Sequence, residues 1–378
     1  RTGVFSSPHL ERIEERFAVD GQSCSEEKLV SLVDRLRPIV AAMDAEAATE
    51  GDPLGGPTYF EVTTAMAFLH FVERQVDAAV LEVGLGGRLD ATNVGLPLGS
   101  VITSISFDHM QQLGNTLAAI AGEKAGIIKP GVPVVSGVTE PEAQAVVAST
   151  ARDRGCRLIQ LGRDFDYRYA QGRIDFDFRV IGQAQAISNV PLGMRGAHQA
   201  ANASIALATI AELRHQGWRV SSQAMQCGLA QTALPGRVEL FPGRPDVVLD
   251  TAHNPASARA LVAALVEIAP EGRRTLILSV SRDKDVPAVV CELAPHFDRV
   301  VVTQYQENLR AMSAEELGEL VGKAGPGIPI VICAKPQAAW NAALEMTEPD
   351  GVVCVAGSFF LAAELRGLVR ARRDAPAI

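Results

Sequence analysis

Glu82 closes an apolar run, and Gly84, Gly86 and Gly87 follow it directly, in VLEVGLGGRLDATN (Val80–Asn93). In an open α/β sheet, ligands gather at the carboxyl ends of strands, where this acid would stand. The next apolar run, SVITSI (Ser100–Ile105), leads into Asp108 and His109. If the two runs are adjacent parallel strands, Glu82 and His109 share one sheet edge. A carboxylate and an imidazole there can hold a divalent cation, with the hard oxygen donor leading. Taken singly, the plainer uses are a Glu capping a turn and a His satisfied by backbone. Lys124, in AGEKAGIIKPG, stands on a helix among small residues and read alone is half of a surface pair with Glu123.

The glycines could cradle a phosphate, make room for a flat ligand, or let the chain turn. A dinucleotide fingerprint needs G-x-G-x-x-G opening a helix. Here Leu89 holds the third glycine position, and Gly95, Pro97 and Gly99 follow in place of a helix. That argues against a dinucleotide oxidoreductase. A G-x-x-x-x-G-K-[ST] loop also fails, and the lookalike GELVGKAG is one residue short and lacks the hydroxyl. The phosphate cradle drops out; the other two uses stay open.

The elements that must position these residues are legible in outline. The chain has 378 residues, 47% hydrophobic and 21% charged, enough for about two domains. Residues 25–46 read as a helix capped by Ser25 and bent or interrupted at Pro38, and 47–57 as a Gly/Pro/acid loop. A helix near 60–74, strand 78–83, strand 100–105, helix 116–127, strand 133–136, helix 140–154 and strand 156–161 follow. This alternation predicts a parallel sheet covered on both faces. YRYAQGRIDFDFRV, within 163–192, alternates with period two around a glycine and predicts an antiparallel insert. Helices 197–216 and 221–233 lead to the turn-rich LPGRVELFPGRPD, where the domain joint is placed. Beyond it DVVLD, TLILSV, RVVVT, IPIVIC and GVVCVAG predict a doubly wound second domain.

A net charge of -9 and a pI near 5.4 argue against nucleic acid or a membrane as partner. The six cysteines are scattered, with no C-x-x-C, and read as reduced thiols of a cytoplasmic protein. No apolar run approaches the ~18 residues of a membrane helix, and no signal peptide is visible.

Taken together, SSPHLERIEERFAVDG, TYFE, EVGLGGRLDATN, DH, EKAGIIKPG, LPGR, DTAHNP and DKD, in that order, resemble the folylpolyglutamate synthase/dihydrofolate synthase family within the Mur-ligase group of ATP-dependent amide-forming ligases. The resemblance runs through essentially the whole chain. It implies an α/β, Mur-ligase-like fold. A parallel-sheet, ATPase-type domain that binds ATP, magnesium and pterin covers residues 1–236, and a Rossmann-like glutamate-ligase domain covers 237–378. It also implies ATP and two Mg2+ ions, with dihydropteroate or folate and L-glutamate as substrates, in a monomer. Ser7, Glu82 and His109 resemble the family's magnesium ligands. Lys124 is similar to its carbamylated lysine, a cation turned into a carboxylate that binds the second ion. Thr58, Tyr59, Phe60 and Glu61 fall on the pterin-side segment, and Asp90 on a further pterin contact. On this resemblance the glycines of the opening stretch form a side-chain-free turn against which the flat pterin packs. Asn202, Arg237 and Asp250 match nucleotide contacts, with His253 lining the same cleft. His109, Lys124 and Arg237 are thereby implied in catalysis, Arg237 following the phosphates as the domains close and exclude water from an acyl phosphate.

The family's glycine-rich phosphate loop, of the T-N-G-K-G-[ST] type, precedes SSPHL, whereas this sequence opens at Arg1, five residues before Ser6. The expectation is a truncated first domain with an unpaired strand edge, inactive alone and restored by upstream residues. The alternatives are a catalytically dead pterin- or nucleotide-binding relative, and another Mur-type amino-acid ligase.

Overall fold

The computed structural model describes residues 1–51, 55–179 and 185–374. The chain divides into two compact units. The first comprises Arg1–Ser100, His109–Val132 and Glu140–Arg157; the second comprises Val101–Asp108, Pro133–Thr139 and Leu158–Ile378.

The chain opens with β1 (Thr2–Phe5), β2 (Phe17–Val19), β3 (Gln22–Ser23), α1 (Glu26–Glu50), α2 (Tyr59–Glu73) and β4 (Ala78–Leu81). The strands form one sheet in the order β3-β2-β1-β4, with β1 parallel to β4 and antiparallel to β2. Phe5, Phe17, Leu32, Met66, Ala67 and Phe71 fill the space between this sheet and the two helices. Ser25 caps α1 as expected, its Oγ accepting from the Lys28 N–H at 3.2 Å. Pro38 does not interrupt α1, which continues to Glu50. It stands on the exposed side, where water can take the carbonyl that loses its donor. Residues 52–54 of the expected loop lie outside the described residues.

Next come β5 (Ser100–Ile102), α3 (Met110–Leu113), α4 (Leu117–Ala125), β6 (Val134–Ser136), α5 (Pro141–Asp153) and β7 (Leu158–Gln160). One expectation is corrected here: the described partner of β4 is β1, while β5 belongs to a separate sheet of order β5-β6-β7. Glu82 and His109 therefore do not follow hydrogen-bonded neighbouring strands. β1 is too short to show a period, so the sequence hid β4's partner.

The antiparallel insert is present as β8 (Phe165–Ala170), β9 (Arg173–Phe178) and β10 (Gln185–Pro191). Its apolar face, with Phe165, Ile174 and Phe176, packs with Ile205, Leu207 and Ala208 of α6 (Ala197–His215); α7 (Ser222–Gln231) follows.

The remainder of the second unit runs β11 (Glu239–Phe241), β12 (Asp246–Leu249), α8 (Pro255–Ile268), β13 (Arg274–Leu278), α9 (Val286–Leu293), β14 (Arg299–Thr303), α10 (Ala314–Ala324), β15 (Ile330–Cys333), α11 (Pro336–Met346), β16 (Val352–Ala356) and α12 (Phe359–Asp374). The sheet order is β11-β12-β16-β13-β14-β15, parallel except for the edge strand β11. All five expected strands are present. β16 returns to lie between β12 and β13, so the carboxyl ends of these three strands, bearing Asp250, Gly357 and Ser279, adjoin. Ligands collect at such ends. No helix among the described residues is long and apolar enough to cross a membrane.

Candidate active site

In the first unit, the parallel pairing of β1 with β4 brings Ser7 to Glu82. The Glu82 N–H donates to the Phe5 carbonyl at 2.9 Å, and the Ser7 N–H donates to Glu82 Oε2 at 2.9 Å. A hydroxyl-bearing residue and a carboxylate thus meet just past two strand ends. His109 precedes α3 with φ +50°, a left-handed backbone that few non-glycine residues adopt, and its carbonyl accepts from the Gln112 and Leu113 N–H groups. Lys124 lies half-buried in the last turn of α4, whose preceding residue, Glu123, pairs with Arg88 at 3.0 Å.

The TYFE segment is a capping box. Glu61 Oε2 accepts from both the N–H and the hydroxyl of Thr58 at 2.7 Å, and Thr58 Oγ1 accepts from the Glu61 N–H. These donors, the backbone N–H first, hold the Glu61 carboxyl below its ordinary range. The box fixes where α2 starts, and so aims Tyr59 and Phe60. Tyr59 is exposed, with the buried Arg16 guanidinium 5.5 Å from its ring centroid. Arg16 in turn donates through Nε to His9 Nδ1 at 2.9 Å. Burial, reinforced by the Arg16 charge, lowers the His9 pKa and keeps its ring an acceptor.

The space beside the glycines is filled from within. A Cβ on Gly84 would fall 2.5 Å from the Phe60 ring; one on Gly87, at φ +154°, would fall 2.7 Å from Ile127. One on Gly86 would fall 2.9 Å from Leu113. On the face where a Cβ would stand, these glycines admit the protein's own side chains. Asp90 serves the same loop, its carboxylate accepting from the N–H groups of Gly84, Leu85 and Thr92, each at 3.0 Å.

In the second unit, Asp250 follows β12 and is buried. It accepts from the Val238 and Ala252 N–H groups at 2.7 Å each. Burial raises its pKa, against those donors and the charges of Arg237 and His198. Arg237 donates through Nη1 to Thr251 Oγ1 at 2.7 Å, and the Thr251 carbonyl lies 2.9 Å from His253 Nδ1. Asp250, Arg237 and His253 are thus brought together. Asn202 is exposed on α6, with its amide donating to Gln199 at 3.2 Å. His198, one helical turn before it, faces Asp250 and Arg237 electrostatically; burial lowers its pKa.

Sequence reasoning assigned no role to two groups here. Asp108 accepts from Lys284 Nζ at 3.0 Å through one oxygen and from Asn254 Nδ2 at 3.0 Å through the other, with His253 Nε2 3.7 Å away. The sequence held the parts, DH and DKD, but no local signal joins them.

The donor chemistry can be tested against magnesium. Among the described residues no three His, Cys, Asp or Glu side chains gather as a metal cluster. Magnesium does not require one; it is usually bound by one or two carboxylates, with water and substrate phosphates completing the shell. The Glu82 carboxylate, with the hydroxyl-bearing Ser7 held to it through its backbone N–H, is such a sparse, oxygen-based set, and these residue types fit.

Residues 36–210 match the Mur ligase middle domain, and residues 236–359 match the Mur ligase glutamate ligase domain. The dihydrofolate synthase/folylpolyglutamate synthase of Bacillus subtilis (strain 168) is 38% identical over 288 residues, 75% of this chain and 65% of that protein. The protein of the same name from Escherichia coli (strain K12) is 33% identical over 99% of this chain and 81% of its own length. The chain therefore spans about two thirds of the first relative and four fifths of the second. Mycobacterium tuberculosis folylpolyglutamate synthase, solved with ADP and AMPPCP, superposes with a TM-score of 0.88 at 33% identity, covering 97% of this chain and 84% of that one. A Yersinia pestis folylpolyglutamate synthase/dihydrofolate synthase, solved with AMPPNP and a manganese ion, gives 0.82 at 29% identity, covering 98% and 82%.

The chain belongs to the folylpolyglutamate synthase/dihydrofolate synthase family. That family consists of ATP-dependent glutamate ligases of the Mur group, and the glutamate ligase domain match begins within the LPGR turn, at Gly236, and so includes Arg237. Within this Mur ligase, the second unit gathers Arg237, Asp250 and His253, and the first gathers Ser7 with Glu82.

Proposed function

We propose that the protein joins L-glutamate to the carboxylate of dihydropteroate or a folate, with ATP as the energy source. The observation that carries this reading is the Ser7–Glu82 pair beyond the ends of two paired parallel strands, an oxygen-rich position suited to magnesium. Ser7, Glu82, His109 and a carbamylated Lys124 would hold two magnesium ions, which when bound offset charge on the phosphate oxygens. Solved relatives that carry nucleotide, or nucleotide and manganese, support binding of a nucleotide and a divalent metal.

An amine does not displace oxide from a carboxylate, so the acid must be activated. The pterin-linked carboxylate attacks the γ-phosphorus, forming an acyl phosphate and releasing ADP. The glutamate amine then attacks the acyl carbon, expels phosphate and loses its proton. Arg237 supplies a fixed positive charge for phosphate oxygens, with Thr251 holding its orientation. Asp250 organises the backbone from which Arg237 and His253 project, through its two N–H contacts. Thr58 and Glu61 fix the start of α2 so that Tyr59 can face a pterin; Asp90 fixes the loop beyond Glu82.

We place the joint between the two catalytic domains at residues 236–237, where one family model begins and a turn precedes β11. We also take the protein to work as a cytoplasmic monomer, in keeping with its free thiols. The test is phosphate release by the intact protein with Mg-ATP, glutamate and either dihydropteroate or tetrahydrofolate, with the product weighed. Glutamate-dependent phosphate release and a product heavier by one glutamyl residue are expected. Phosphate release indifferent to glutamate would overturn the reading.

A further inference from the structure

Arg237 and His253 share a neighbour that neither the motifs nor the family matches single out. The Arg237 guanidinium carbon lies 4.8 Å from the centroid of the Phe359 ring, and the His253 ring centroid lies 5.8 Å from it at an interplanar angle of 51°. Thr251 ties the same two residues from the other direction, through its hydroxyl and its carbonyl. Among the described residues no carboxylate forms an ion pair with Arg237. Its direct contacts are one hydroxyl and one ring face, with the buried Asp250 acting on it through charge alone.

The chain takes pains to put that ring there. β16 ends at Ala356, and Gly357 turns the backbone at φ +105°, where a Cβ would fall 2.4 Å from the Ser279 carbonyl. The Gly357 N–H donates to the Ala252 carbonyl at 2.9 Å, fastening the start of α12 to the segment that carries Thr251 and His253. Ser358 Oγ then accepts from the Phe360 N–H at 3.1 Å. These two anchors fix the backbone on either side of Phe359.

We propose that Phe359 is a positioning residue for nucleotide binding, its ring face holding the Arg237 guanidinium, and the His253 imidazole, in the orientation the phosphates meet. This rests on the reading of Arg237 as a phosphate contact. The face of an aromatic ring carries negative charge and attracts a guanidinium without neutralising it, as a carboxylate would. The arginine is thereby oriented yet keeps its charge for the ligand. An aliphatic residue of similar bulk fills the volume but offers no such face.

The test is a double-mutant cycle on ATP affinity and turnover in the intact protein, with Arg237→Ala, Phe359→Leu and the two combined, plus Phe359→Trp. Phe359→Leu should raise the KM for ATP about three- to thirtyfold, the range of one partly desolvated cation–π contact, with kcat changed less. Phe359→Trp should restore the KM, because it restores a ring face. The double variant should bind ATP no worse than Arg237→Ala alone. If Arg237→Ala weakens ATP binding while Phe359→Leu does not, the proposal falls and the phosphate role of Arg237 stands. If Arg237→Ala leaves ATP binding unchanged, the phosphate role itself falls and takes the proposal with it. Strictly additive losses, or a Trp variant no better than the Leu variant, also overturn it. Should Phe359→Leu fail to fold, Phe359→Met makes the same comparison against Trp.

Discussion

Lys284 reaches back 176 positions to place its ammonium 3.0 Å from Asp108, within the second unit, while Asn254 holds the other carboxylate oxygen at 3.0 Å. Both side chains are mostly buried, at 15% and 26% exposure, so solvent screens the pair only partly. Removing one partner leaves a charge in a poorly solvated place, which costs more than removing both. Asp108→Ala should lower unfolding stability by about 1–3 kcal/mol, and Asp108→Ala with Lys284→Met by less than the sum of the single losses. Urea unfolding of the four proteins reads this directly. Simple additivity would show the pair to be incidental.

Glu82 should be catalytic in its charge and structural in its shape. Its Oε2 accepts the Ser7 N–H, a bond that a glutamine side-chain carbonyl can still accept. Glu82→Gln should therefore leave the unfolding midpoint close to wild type while cutting turnover by ~100-fold or more, as expected when a charged oxygen donor to magnesium is lost. A variant that kept wild-type activity at low magnesium would remove Glu82 from the metal set.

The sequence carried some of these relationships better than others. RVVVT and GVVCVAG read as strands because β14 and β16 are buried on both faces, which makes each a continuous apolar run. β1 and β2 left no such trace: four and three residues long, they are strands because β4 and each other supply partners, a long-range fact. The glycines after Glu82 were legible as places without room for a Cβ, but not that Phe60, Leu113 and Ile127 take the room. The Thr58-x-x-Glu61 spacing was a readable capping box, overshadowed by its position in a ligand-side motif. Asp108 with Lys284, and Arg237 over Phe359, join residues more than a hundred positions apart, where no periodicity reaches.

Acid should expose one ion pair of the doubly wound domain. Arg299 donates to both oxygens of Glu348 at 3.0 Å, and this holds the Glu348 carboxyl down at about 2. A depressed folded-state pKa adds stability that is present above the unfolded value near 4.5 and is lost as pH falls toward 2. Wild type should therefore exceed Glu348→Gln in stability at pH 7, and the difference should shrink between pH 4.5 and pH 2. Unfolding titrations across that window check the sign; a gap that widened with acid would contradict it.

Lys124 offers the sharpest chemical test of the candidate site. It is half-buried in the last turn of α4, with Gly122, Ala125 and Gly126 as its small neighbours in sequence. Carbamylation consumes CO2, replaces the ammonium with a carboxylate and so supplies oxygen donors that magnesium accepts. If that is its role, Lys124→Ala should lose most activity, on the order of 100-fold. Acetate or another small carboxylate should restore part of it in a concentration-dependent way. Lys124→Arg should not rescue, because a guanidinium keeps its charge and forms no carbamate. The carbamate itself is labile, so the direct measurement is electron density or a carbonate-trapped mass spectrum of the active enzyme. An unmodified Lys124 in fully active protein, together with no response of the alanine variant to acetate, would remove the carbamate from the mechanism.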